Sequence, residues 1–369
     1  MTPRSPIDVT LVAGARPNFM KMAPLMLALD GRPESFRTSL VHTGQHYDSA
    51  MSDVFFDDLG MRAPDSYLGV GSGSHAEQTA AILIAFEKLL AAAPPDIVLV
   101  AGDVNSTIAC ALAARKLNIV VGHVEAGLRS RNWTMPEEVN RVVTDTLSDY
   151  LFTPTPDADE NLINEGIDRD RIHLVGNVMI DSLVQALPEA ERRAKCADLG
   201  LEPRSYGLIT LHRPSNVDDP TQLRQVLDAI GDAVPRAVFP VHPRTRARIQ
   251  ELSDSGAAVN PHITLLDPLG YYDFTSLMVD ASFVLTDSGG IQEETTYLRI
   301  PCMTLREETE RPVTVSEGTN EIVTLRDLKD LVPKVERGEW KKGTIPNLWD
   351  GRAADRIADV LARGISARL

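Results

Sequence analysis

Cysteine is scarce in this chain. Only Cys110, Cys196 and Cys302 occur in 369 residues. With their wide spacing, odd number and lack of any CxxC pair, neither a disulfide framework nor a zinc site is indicated, and they read as buried apolar filler. Long apolar runs are missing as well. Stretches such as 97–101 and 119–121 fall far short of the roughly 20 residues that a bilayer-spanning helix needs. Residues 1–6 lack the apolar region of a secretory signal, which leads to an expected place in the cytoplasm with no membrane partner. Basic residues are in deficit, 37 Lys and Arg against 52 Asp and Glu for a formal net charge of −15. That balance argues against nucleic acid as the main partner, and an anionic small ligand would need a locally basic pocket. No internal repeat or low-complexity segment is visible.

The composition that is present, 43% hydrophobic and 24% charged, belongs to a soluble globular protein. The length exceeds what one core normally organises, so two α/β domains are expected. Short β-rich runs at 7–13, 38–43, 96–101, 119–124, 150–153 and 172–176 alternate with helical patterns, as in a parallel sheet with crossover helices. A second series lies at 206–211, 237–241, 263–266, 283–286 and 301–305. Thr79, Leu83, Phe86 and Leu90 recur at helical spacing, as do Leu223, Leu227, Ile230 and Val234. Residues 188–203 read as a surface helix, the domain join falls near 166–177, and 353–369 reads as a helix with Ala354, Ile357, Ala358 and Leu361 on one side.

Ligands of open parallel sheets bind at the carboxyl ends of the strands, and those ends are unusually polar here. Gly14, Arg16 and Lys21 follow the first run, where a glycine turn and two cations beside a helix start suit a phosphate. The plainer reading is a strand-to-helix turn with solvated cations. Asp103 follows the third run and is either a helix cap or an acid. Glu125 follows the fourth, with Glu137 and Arg141 shortly after. Carboxylates gathered at adjacent strand ends suit acid–base work. The bland alternative pairs Glu125 with Arg129 and Glu137 with Arg141. In the second series, His212-Arg213 and His242 with Arg244 stand at equivalent strand ends, which suits an anion or a proton transfer and makes Arg213 and His242 candidate substrate contacts. Asp287-Ser288-Gly289-Gly290 joins a strand to a helix whose amides suit a phosphate, and Glu294 lies about one turn further on, within reach of ribose hydroxyls.

Taken in order, Gly14-Ala15-Arg16-Pro17 with Lys21, Gly102-Asp103, His123-Val124-Glu125-Ala126-Gly127-Leu128-Arg129, Met135-Pro136-Glu137-Glu138-Val139-Asn140-Arg141, His212-Arg213, Ser288-Gly289-Gly290-Ile291-Gln292-Glu293-Glu294 and Glu310-Arg311-Pro312 with Gly318-Thr319-Asn320 resemble the non-hydrolysing UDP-N-acetylglucosamine 2-epimerase family. The resemblance spans nearly the whole chain. It implies an α/β fold of two Rossmann-like, doubly wound domains facing each other across a GT-B-like cleft. The first domain would be 1–170, the second, UDP-binding domain 171–352, with the helix at 353–369 packing back on the first. It also implies a homodimer, a UDP-sugar substrate and no cofactor or metal.

Carried over by position, catalytic roles fall on Asp103, Glu125, Glu137 and His212, and substrate contacts on Arg16, Lys21 and Arg141. The positions that match UDP contacts are Ser288, Gly289, Gly290, Glu294 and Arg311. Residues 212–216 differ from many bacterial members, which carry a glutamate nearby. Residues 43–48 resemble members without the typical allosteric site, so activation by a second substrate molecule is not expected. The rival readings are an epimerase of another UDP-2-acetamido sugar such as the 2,3-diacetamido uronic acid, a glycosyltransferase, and a nucleotide-sugar sensor without turnover.

Overall fold

The computed structural model describes residues 5–44, 59–254 and 259–365. The chain divides into two compact units, Met1–Leu183 together with Asn347–Leu369, and Val184–Pro346. Each unit holds one wholly parallel sheet with helical crossovers.

The first sheet contains β1 (Ile7–Ala13), β2 (Phe36–His42), β3 (Ser66–Tyr67), β4 (Ile97–Ala101), β5 (Val120–Val124), β6 (Tyr150–Thr153) and β7 (Ile172–Leu174). Their spatial order is β3-β2-β1-β4-β5-β6-β7. Every residue of β4 is buried, because helices cover both faces of a parallel sheet and its central strand then reads as an unbroken apolar run. The second sheet contains β8 (Gly207–Thr210), β9 (Ala237–Pro240), β10 (Ile263–Leu266), β11 (Phe283–Thr286), β12 (Cys302–Leu305) and β13 (Asn320–Val323), in the order β10-β9-β8-β11-β12-β13. In both sheets the winding direction reverses beside the first strand, between β1 and β4 and between β8 and β11. Of these strands, β3 and β13 are not among the runs read from the sequence. The first has two residues, and the second has four, buried only at its two ends, and opens on Asn320, the last residue of the Gly318-Thr319-Asn320 motif.

Helix His75–Ala92 starts at a capping box, in which the Ser74 side chain accepts from Glu77 N and Glu77 Oε2 accepts from Ser74 N at 3.0 Å. Its buried row is Gln78, Ile82, Phe86 and Leu90. Thr79 and Leu83 are only half-buried, so the spacing located the stripe's far end and missed its start by one residue. In helix Pro220–Ala233 the buried residues include Leu223, Leu227 and Ile230, as the spacing predicts.

The join between units differs from the sequence expectation. β7 pairs with β6 in the first sheet, and the division falls inside helix Val178–Arg193, where no glycine or proline-rich linker signals it. The segment from Asn347 onward belongs to the first unit. There Trp349 Nε1 donates to Pro154 O at 3.1 Å. Helix Ala353–Gly364 buries Ala353, Ala354, Ile357, Ala358 and Leu361 and packs on helix Arg16–Asp30. Its first free amides are capped from a different element: Ala353 N and Ala354 N donate to the two oxygens of Asp181 at 3.1 and 2.7 Å. Burial pushes the Asp181 carboxyl up to about 6, against the pull of those two amides. All three cysteines are buried and free.

Candidate active site

The residues singled out from the sequence stand at the carboxyl edges of the two sheets, beside the reversals of winding. In the first unit, helix Arg16–Asp30 is anchored to the neighbouring strand by Asn18. Its Oδ1 accepts from Ala15 N at 3.1 Å, and its Nδ2 donates to Ala101 O at 2.7 Å. One turn on, the buried Lys21 ammonium forms an ion pair with the buried Glu125 carboxylate. Gly102 permits that approach: with φ +66, a Cβ there would lie 2.7 Å from Lys21 Nζ. Glu125 itself sits at φ +68, a left-handed conformation that costs a non-glycine residue about 1–3 kcal/mol and persists where the surroundings enforce it.

Asp103 is not a helix cap. The following helix begins at Asn105 behind Val104, with no side-chain cap bond. Instead the Asp103 carboxylate accepts from Arg141, with Oδ2 3.1 Å from Nε and 2.8 Å from a terminal nitrogen. Arg141 also donates to Glu138, and Glu138 accepts from the backbone of Ser130 and Arg131 at 2.9 and 2.8 Å. Glu138 is thereby saturated. Glu137, half-buried on the same first turn, makes no hydrogen bond or ion pair among the described residues. Neither bland pairing is found: Arg129 goes to Asp145 at 2.7 Å and Glu165 at 2.6 Å, and Arg141 takes Asp103 and Glu138. The Arg16 side chain lies outside the described residues, as does the 45–48 part of the segment read for allostery.

In the second unit a fully buried carboxylate ties the ends of β8 and β11 together. Asp287 accepts from His212 N at 3.1 Å, Arg213 N at 2.9 Å and Asn216 Nδ2 at 2.9 Å. Burial pushes its carboxyl up, but His212, Asn216 and the Arg213 amide outweigh that and hold it below the usual carboxylate range. The His212 ring meets Asp287 through Nδ1 at 2.9 Å while its side chain stays 57% exposed, which leaves Nε2 for a ligand.

Beside it, helix Gly289–Leu298 opens on two glycines. A side chain at Gly289 would collide with the Arg311 guanidinium, so only glycine lets that cation lie over the helix start. Arg311 Nε is 2.9 Å from Glu293, and Glu310 bridges Arg311 and Arg306. Burial holds the Arg306 guanidinium below its ordinary value, and the like charges of Arg213 and Arg311 act in the same direction, against Glu310. Guanidinium groups gathered at this helix start, Arg306 and Arg311 on Glu293 and Glu310 with Arg213 close enough to act on Arg306, suit a diphosphate.

Glu294 is fully buried. Tyr271 donates to its Oε1 at 2.9 Å, while Oε2 has no hydrogen-bond partner among the described residues. Burial, and secondarily the charge of Glu293, push its carboxyl up to about 8 despite the Tyr271 bond. His242 stands apart: it is exposed and accepts from Arg244 N at 3.3 Å, and Arg244 pairs with Asp218. Asp287 and Arg306 went unread as site residues, although both directly follow an apolar strand and the strand-end rule points at them. A cavity of about 630 Å³ at the opposite, amino edge of the second sheet is lined by Arg204, Arg236, Arg299, Lys341 and Lys342 among others. Two of these cations already serve backbone carbonyls, Arg204 that of Ala281 and Lys341 that of Val315.

The sequence profile of a family described as UDP-N-acetylglucosamine 2-epimerase matches residues 28–362. A UDP-N-acetylglucosamine 2-epimerase from Methanocaldococcus jannaschii is 40% identical, over 97% of this chain and 100% of its own. The crystal structure of the Methanocaldococcus jannaschii UDP-GlcNAc 2-epimerase in complex with UDP-GlcNAc and UDP aligns over 97% of this chain and 100% of its own, with a TM-score of 0.85 and 40% identity. A UDP-2,3-diacetamido-2,3-dideoxy-D-glucuronate 2-epimerase from Pseudomonas aeruginosa is 39% identical, over 97% of this chain and 100% of its own. With a family profile and full-length relatives agreeing with the GT-B-like pair of parallel-sheet units and with polar groups at the expected strand ends, the chain belongs to the UDP-N-acetylglucosamine 2-epimerase family.

Proposed function

We propose that this protein is a non-hydrolysing 2-epimerase that interconverts UDP-N-acetylglucosamine and UDP-N-acetylmannosamine. The observation that carries the reading is the carboxylate set of the first unit. Glu125 is held in a strained turn on Lys21, Asp103 is held on Arg141, and Glu137 is uncommitted. C2 of the sugar has no neighbouring carbonyl, so its proton is poorly acidic and C1 must be activated. In the proposed reaction a carboxylate takes the C2 proton, a C1=C2 bond forms, and the C1–O pair leaves with UDP to give 2-acetamidoglucal. Return of UDP to C1 and of a proton to the other face of C2 completes the epimerisation. Asp103, Glu125 and Glu137 carry the proton transfers and stabilise positive charge at the ring. Arg16, Lys21, His212 and Arg311 stabilise charge growing on the departing diphosphate, a contribution largest in the transition state. Ser288, Gly289, Gly290, Arg213 and Arg311 hold the diphosphate, and Glu294 takes ribose hydroxyls. Arg141 sets Asp103, and His242 contributes at most to the rim of the substrate site.

Proton NMR of the enzyme with UDP-N-acetylglucosamine in D₂O, without added cofactor, tests the reaction. Deuterium at C2 together with signals of the manno epimer is expected, and the absence of both overturns the assignment. The similarity to the Pseudomonas aeruginosa relative, almost equal to that of the first, supports one second reading, a 2,3-diacetamido uronic acid as the sugar. Turnover of that substrate alone in the same experiment would select it.

The reading includes a cytoplasmic homodimer. It is supported by the lack, among the described residues, of any helix long and apolar enough to cross a membrane, and by Ile84 standing exposed on helix His75–Ala92 and Val139 and Val143 on helix Pro136–Leu147, two helices that both pack on helix Asn105–Lys116 of the first unit. Sedimentation is expected to give the mass of two chains, and Val139→Glu with Val143→Glu to shift it toward one.

Gly289→Ala supplies a further check on the diphosphate cradle. The added methyl displaces Arg311, and UDP affinity measured by calorimetry is expected to fall roughly 10-fold or more, the loss typical of a charge-assisted contact.

A further inference from the structure

Both sides of the strained Glu125 turn are tied to one buried carboxylate. Two residues before Glu125, His123 on β5 places Nδ1 2.6 Å from Asp145 Oδ1. Two residues after it, Gly127 N donates to Asp145 Oδ2 at 3.2 Å. The second ring nitrogen of His123 lies 2.9 Å from the carbonyl oxygen of Gly102, the residue immediately before Asp103. A carbonyl only accepts, so this nitrogen carries a proton and donates. Arg129 completes the group. It lies 2.7 Å from Asp145 and is itself gripped by Glu165 through two nitrogens at 2.8 and 2.6 Å. The side chains of His123, Asp145 and Arg129 are at most 2% exposed, which removes them from contact with a substrate. Burial pushes the Asp145 carboxyl up, yet His123 and Arg129 together hold it below the usual carboxylate range.

We propose that His123, Asp145 and Arg129 are positioning residues, one buried network that holds the Gly102–Asp103 turn and the Glu125–Gly127 turn in a common register. The two carboxylates then enter the reaction already placed. The proposal rests on the acid–base roles assigned to Asp103 and Glu125 above. It follows from connectivity: one carboxylate reaches the His123 imidazole on one flank of Glu125 and the Gly127 amide on the other, and that imidazole reaches the carbonyl just before Asp103. Asp145 is the node, because it receives donors from three separate residues. An amide in its place offers a single accepting oxygen and turns an N–H₂ group toward at least one of those donors.

The test is a kinetic cycle on the full-length protein. Asp145→Asn is expected to lower kcat about 100-fold, the loss that follows from a displacement near 1 Å at a reacting group. The KM and the UDP dissociation constant are expected to stay within about 3-fold, since the network touches neither ligand half directly. In a Glu125→Gln background the same substitution is expected to cost less than about 3-fold, because residues acting through one another are not additive. A melting curve run alongside confirms that each variant is folded at the assay temperature. If Asp145→Asn does not fold, His123→Gln, which keeps a donor for the Gly102 carbonyl, enters the same cycle. Near-normal kcat in a folded variant, or an undiminished penalty in the Glu125→Gln background, overturns the network. A wild-type protein that neither exchanges the C2 proton nor epimerises overturns the functional reading and this inference with it, whereas an active wild type with indifferent variants overturns the inference alone.

Discussion

Asp103→Asn, Glu125→Gln and Glu137→Gln are each expected to cut turnover by about 10²–10⁴-fold, the range supplied by a positioned acid or base, while UDP binding stays largely intact. Each replacement keeps the shape of the side chain and removes its capacity to take a proton. UDP is held mainly by groups of the second unit in the proposed reaction, so most of its affinity is insulated from these changes. The three variants should nevertheless differ in stability. Glu125→Gln leaves the buried Lys21 ammonium facing a neutral amide, and removing one member of a buried pair is destabilising by roughly 3–5 kcal/mol. Glu137, which has no described partner, should lose activity with no change in melting temperature. Single-turnover kinetics and calorimetry with UDP separate these effects. Near-normal turnover in all three variants would remove the acid–base assignment.

Glu294→Gln is expected to stabilise the ligand-free protein at pH 8 while weakening UDP binding. The sign follows from the proton balance. The carboxyl has a folded-state pKa of about 8 against an ordinary 4.5, so the folded protein holds a proton that the unfolded chain releases between those values. Stability therefore falls as pH rises through that window, by up to about 1.4 kcal/mol per unit, and levels off above pH 8. Summed over the window the cost is on the order of several kcal/mol. Gln at this position keeps the Tyr271 bond and has nothing to titrate, so its melting temperature should be flatter with pH and higher at pH 8. The same change removes an acceptor proposed for the ribose hydroxyls, and UDP affinity should fall about 3–10-fold, the worth of a hydrogen bond between neutral groups. Melting curves from pH 5 to 9 and calorimetry of UDP binding measure both effects. An unchanged pH dependence would show that the carboxyl is ionised when folded.

Much of the sheet architecture was legible because strands covered on both faces are written as unbroken apolar runs, as in 97–101. The site was legible to the extent that it lies directly after such runs, which is how Asp103, Glu125, His212 and Ser288 came into view. What spacing could not show is pairing across the fold. Glu125 with Arg129 and Glu137 with Arg141 are near neighbours in sequence, yet the bonds run from Lys21 to Glu125 and from Asp103 to Arg141, over separations that only the winding of the sheet closes. Asp145 illustrates the same limit: inside a helix it reads as a polar residue, and its role follows from β5 lying beneath it. The join between units was missed for a different reason. A division inside a continuous helix leaves no change in composition to read.

The first unit is built from the two ends of the described chain, with the whole second unit threaded between them. Synthesis from the amino end therefore completes Val184–Pro346 while the packing surface of helix Arg16–Asp30 for helix Ala353–Gly364 is still uncovered. The first unit closes only once helix Ala353–Gly364 has left the ribosome, and Asp181 waits without its two amide donors until then. A chain stopped before residue 347 would carry a finished second unit and, on the first, an open apolar face of the kind that chaperones and proteases recognise.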